Sequence, residues 1–102
     1  MADKYGVYAE LTGTAETPEL VISPASNKEE VTYRVHGTFT GTVYVVLRRP
    51  DEPVGGGEIL DKSEVTAPAD KLITLRGPYA IRAKCTGLIG TARVELFGTE
   101  RG

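Results

Sequence analysis

Tryptophan is absent from this chain, and histidine and cysteine occur once each, as His36 and Cys85. Each shortage excludes something. One cysteine cannot close an intrachain disulfide, which fits folding in a reducing cytoplasm. One histidine and one cysteine cannot supply the three or four ligands of a zinc site. A Ser or Cys triad needs a histidine base beside its nucleophile, and His36 is the only base of that kind. No paired acid, base and nucleophile stands out, so no catalytic residue, metal or cofactor is expected and the chain reads as a non-enzyme. A glycan-binding face would want aromatic platforms, and five Tyr with two Phe supply few.

Long apolar runs are also missing. Val43-Tyr44-Val45-Val46-Leu47 is among the longest, far short of the ~20 residues that cross a bilayer. No apolar core follows Met1-Ala2-Asp3-Lys4, so neither a signal peptide nor a membrane partner is expected. Twelve Lys and Arg stand against fourteen Asp and Glu, a net charge of −2. That balance lacks the basic excess of a nucleic-acid binder.

What the chain has is glycine, proline and alternation. Its 102 residues make one domain, 1–102, by length. Tyr5, Val7, Ala9 and Leu11 alternate with Gly6, Tyr8, Glu10 and Thr12, which predicts an N-terminal arm or edge strand within residues 1–12. Val31, Tyr33, Val35 and Phe39 share one parity, and Thr32, Arg34, His36 and Thr38 the other. A glycine pattern then occurs twice, as Gly37-Thr38-Phe39-Thr40-Gly41-Thr42-Val43 and as Gly87-Leu88-Ile89-Gly90-Thr91-Ala92. Each copy opens a period-2 run ending in Leu, and each reads as a tight turn feeding a strand. No segment carries a helical period. Seven to eight short strands with turns between them predict an all-β fold, a single antiparallel β-sandwich or jelly roll.

The individual residues read mostly as structural. Cys85 shares parity with Tyr79, Ile81 and Ala83, hence the core. His36 falls on a polar face. Gly55-Gly56-Gly57 lacks the Lys-Ser or Lys-Thr of a phosphate loop, so Pro50–Gly57 reads as a long flexible loop. Its acidic neighbours Asp51, Glu52, Glu58 and Asp61 match no EF-hand spacing. Tyr44 and Val46 take the outward parity of their strand. They are either packed under a loop or form an oligomer contact. Arg48 and Arg49 end that strand, as solvated charges or as inter-subunit clamps.

Residues 31–49 and 77–97 resemble segments of small virion proteins of tailed bacteriophages. The likeness rests on Gly37 to Arg48 and on Gly77-Pro78-Tyr79-Ala80-Ile81-Arg82 through Gly90-Thr91 to Val94-Glu95-Leu96, the latter similar to a C-terminal hairpin. Where those proteins often carry a Ser-Asp-Gly-Gly turn and a Trp, this chain has Arg49-Pro50-Asp51-Glu52-Pro53 and no Trp. The resemblance implies a capsid decoration (cement) protein. Such a protein is made in the host bacterial cytoplasm, sits on the virion capsid surface and stabilises the head. Its partners would be the major capsid protein or another virion protein, and itself as a dimer or trimer. Tyr5 and Tyr8 are the expected arm anchors, Tyr44 and Val46 the apolar patch, and Arg48 and Arg49 the polar clamps. A tail-tube or head–tail joining protein is the nearby alternative. A carbohydrate-binding or adhesion module is the distant one, and it requires the tyrosines to converge in one groove.

Overall fold

A computed structural model describes residues 4–22, 29–49, 51–53, 55–75 and 79–99. The described residues form seven strands and no helix: β1 Lys4–Glu16, β2 Leu20–Ile22, β3 Glu29–Thr40, β4 Val43–Arg48, β5 Glu58–Ile59, β6 Ala69–Leu75 and β7 Tyr79–Thr99. All pairings are antiparallel, within one sheet that curls strongly into a half-barrel.

The spine is β7. Its second half, residues 89–99, lies between β1 and β3, and β6 continues the row beyond β3. Its first half, residues 79–85, lies between β4 and the path formed by the end of β1 and β2, and β5 continues beyond β4. Among the described residues β1 pairs with β7 alone, and it runs on to Glu16, past the residue-12 bound expected for an N-terminal arm.

The two glycine motifs do something other than what the sequence suggests. Neither is a turn. β3 and β4 both run antiparallel to β7, one after the other, so the chain continues along the same partner across Gly41. Residues 87–90 lie inside the 21-residue β7, so no hairpin forms there. The motifs face each other instead, with Thr38 opposite Thr91 and Phe39 opposite Gly90. They mark where the long strands bend. β1 bends at the same level, where its register shifts around Gly13, which lies opposite Leu88. Gly90 has φ 87°, and a Cβ there would stand 2.5 Å from the Thr38 carbonyl oxygen. Only glycine relieves both constraints at so close a strand approach. A bulge with positive φ and a turn with positive φ call for the same residues, so a single sequence does not distinguish them.

The concave side of the curl holds one core, built from both halves. Leu11, Val31, Tyr33, Val35, Val43, Val45, Ile81, Ala83, Cys85, Val94 and Leu96 are buried there in a single cluster. These are the inward parities read from sequence. The Cys85 thiol donates to the Gly13 carbonyl at 3.2 Å. Tyr33 is wholly buried, and burial pushes its phenol above the usual range.

Candidate functional site

The convex face differs between the two halves, and the candidate interface residues fall on both. On β4 the outward parity carries Tyr44, Val46 and Arg48, and on β7 it carries Arg82 and Lys84. Val46 lies opposite Arg82 across the two strands. Alternation puts all of them on the outward side, where Tyr44 and Val46 are expected either under a loop or at an oligomer contact. Val46, Arg48 and Arg82 are buried, with Arg82 only 3% exposed.

Two pieces of chain cover them. The first is the break between β1 and β2. Thr17 interrupts the strand but keeps the ladder closed, donating its amide to the Ala83 carbonyl at 2.9 Å. Its hydroxyl oxygen accepts the Ala83 amide at 3.0 Å. This local geometry sets Glu16 and Glu19 beside the two arginines. The second is the segment after β4. It contains Gly57, whose added Cβ would meet Val46 at 3.1 Å and the Leu47 carbonyl oxygen at 2.4 Å.

The two arginines tie these pieces together. Arg48 donates from Nε and Nη2 to the two oxygens of Glu19, at 2.8 and 2.7 Å, a bidentate pair. Its Nη1 donates to the Glu52 carbonyl at 2.9 Å. Arg82 donates from Nε to Glu16 at 2.8 Å and from Nη2 to the carbonyls of Gly55 and Gly56 at 3.0 and 3.2 Å. Its Nη1 lies 3.6 Å from Glu19, and Lys84 lies 3.8 Å from Glu16. The hydrogen bond from Arg48 holds the Glu19 carboxyl below its ordinary value of 4.5, against the opposing effect of burial.

Arg48 is therefore neither a solvated strand end nor a free clamp, because its guanidinium is spent within the chain. Val46 is packed under the following segment and presents no apolar surface. The loop read as flexible is pinned through its carbonyls. The signal for this was present in sequence as Arg48, Arg82 and two glutamates flanking Thr17-Pro18. Only strand pairing brings residues 66 positions apart into contact.

The remaining candidates with described side chains fall on both halves of the sheet. Tyr8 is on β1 and is 51% exposed on the convex face of the other half. Of Tyr5 only the backbone is described, opposite Gly98, so its anchoring side chain lies outside the described residues. Tyr44 is half-buried, its hydroxyl 3.3 Å from that of Thr86. Arg49 is exposed and borders a cleft of about 330 Å³ with Leu47, Glu52, Glu58 and Tyr79.

The convex face around Tyr8 is open. Arg34 and His36 of β3 both reach Asp70 of β6, at 3.3 and 3.0 Å, in exposed surroundings. The Arg34 guanidinium lies 5.6 Å from the centre of the Phe97 ring. Large apolar side chains exposed among the described residues are Tyr8, Val21, Ile59, Leu72 and Ile89. Four of these five belong to β1, β2, β5 and β6, the strands that end their rows in the sheet. Among the described residues no group of three His, Cys, Asp or Glu is placed to hold a metal ion. No protein-family model and no curated protein matches the chain.

Proposed function

We propose that this chain is a structural virion protein of a tailed phage, a capsid decoration protein that binds capsomers as an oligomer. Its curled sheet would act as a small β-sandwich, the two halves facing each other across the shared core. The observation that supports this reading best is where the exposed apolar side chains lie. Tyr8, Val21, Ile59 and Leu72 sit on the outermost strands, beside backbone groups that have no second partner strand among the described residues. Open edges with apolar side chains suit assembly by strand addition, and monomeric proteins ordinarily protect them. Many modest contacts on a lattice then add up to tight binding.

The likeness to virion proteins supports the proposal through its strand patterns and not through a hairpin, since residues 79–99 are one bent strand. The tyrosines favour it over a carbohydrate module. Tyr8 lies on the convex face of one half, Tyr44 on that of the other, Tyr33 in the core and Tyr79 at the cleft, so these four share no groove. Co-sedimentation with phage heads lacking their decoration protein tests the proposal. Saturable binding at a fixed ratio per capsomer, with heads more resistant to heat, is the expected result. Absence of binding overturns the decoration reading and directs the same assay to tail tubes.

A further inference from the structure

Among the described residues of the segment carrying Glu52, Gly55 and Gly56, the one apolar side chain, Pro53, is exposed. Asp51 is exposed too, and three glycines follow at 55–57. The strand it leads into, β5, has two residues, both exposed. Besides the short pairing of β5 with β4, its attachment to the convex face is made by two cations. Arg48 holds the Glu52 carbonyl, and Arg82 holds those of Gly55 and Gly56. Both guanidiniums are oriented from the opposite side by carboxylates at the end of β1 and in the β1–β2 connection, Glu19 for Arg48 and Glu16 with Glu19 for Arg82. Beneath the segment lie Val46 and the β4 edge where Val46 and Leu47 pair with Ile59 and Glu58.

We propose that this segment is an ionic latch: a strap whose closure depends on the charge of Glu19, and which lifts locally, baring Val46 and the second edge of β4, when that charge is removed. The charges facing one another in the closed state are Glu16 at the end of β1, Glu19 from the β1–β2 connection, Arg48 from β4, Arg82 and Lys84 from β7, and Glu52 on the strap itself. Neutralising Glu19 leaves Arg48 and Arg82 buried with Glu16 as the one remaining carboxylate paired with either of them among the described residues. Two buried cations then favour water over the strap's carbonyls. Apart from the two-residue pairing of β5 with β4, the sheet keeps its ladder and core, so opening is local and not global. The latch does not depend on what the chain assembles with.

A cysteine at the covered position tests this. In Val46→Cys, the introduced thiol reports strap opening and the native Cys85, wholly buried in the core, reports global opening. Adding Glu19→Gln at neutral pH is expected to speed labelling of the introduced thiol at least tenfold and leave Cys85 unchanged. Equal acceleration of both thiols, or of neither, overturns the proposal. If the double variant does not fold, hydrogen exchange of the unaltered chain gives the same test. As the pH falls below 4.5, protection corrected for intrinsic rate should fall across residues 51–60 and persist across 89–99. Loss in both regions together, or in neither, rejects the latch.

Discussion

The two halves of the sheet carry arginines on the same convex face in opposite circumstances, Arg82 on β7 and Arg34 on β3. In the half formed with β2, β4 and β5, Arg82 is 4% exposed in its side chain and makes hydrogen bonds to Glu16, Gly55 and Gly56. In the half formed with β1, β3 and β6, Arg34 opposite β7 is 38% exposed and meets Asp70, itself 55% exposed. Strand alternation assigns both to the same side of one sheet. Whether that side is dry depends on a segment that follows β4 and has no counterpart over β3 among the described residues. An ion pair gains most where water is excluded, and loses most there when one partner is removed. The covered half should therefore respond to single charge changes and the open half should not.

The largest expected effect removes what the halves share. Ile81→Ala, at a wholly buried position of the common core, should cost about 2–5 kcal/mol. Denaturant unfolding should stay a single transition. Two separate transitions would show that the halves fold independently.

Next comes the charge contrast. Removing one partner of a fully buried pair costs about 3–5 kcal/mol. Glu19 keeps 23% of its side chain exposed, so Glu19→Gln should cost less, about 2–3 kcal/mol by the same reasoning. Asp70→Asn, in the open half, should leave the denaturation midpoint unmoved. Equal effects at the two sites would remove the distinction between covered and open faces.

The bend gives a smaller contrast. Gly13→Ala places a methyl in open space at φ 66° and should cost about 1–2 kcal/mol for the left-handed backbone alone. Gly90→Ala meets the Thr38 carbonyl as well and should cost clearly more. Both are read from thermal midpoints at matched protein concentration.

The gentlest test is pH. The folded chain holds Glu19 below its ordinary 4.5, through its hydrogen bond from Arg48. The stability it contributes is therefore present above pH 4.5 and lost as the pH falls through the lowered folded value. Asp70 is likewise held below its ordinary 3.8, first by its hydrogen bond with His36 and further by Arg34. It is exposed, and screening by water weakens its contribution. Glu19→Gln should flatten the fall in stability below pH 4.5, and Asp70→Asn should not.

Much of the fold was legible in particular residues. The alternation of Val31, Tyr33 and Val35, and of Ile81, Ala83 and Cys85, names the buried face of each strand, because a pleated strand facing a core must alternate. It placed Cys85 correctly in the core. The candidate site was less legible. Outward parity singled out Tyr44, Val46 and Arg48, and a covering loop was one of the two readings of Val46, but the burial of Arg48 was not visible. Arg82 drew no attention, since its sequence neighbours give no sign of Glu16 and Gly55.

By itself, then, the sequence determined an all-β chain, the face each strand turns inward and the levels at which glycine lets the backbone depart from a regular strand. Those properties are local, set by side-chain period and allowed backbone angles. Tertiary structure alone decided that the glycine motifs bend three long strand paths side by side instead of reversing them. It also decided that one convex face lies under a strap while the other meets water. Both outcomes depend on which distant segments pair, and pairing is a property of the assembled sheet that no single strand's pattern encodes.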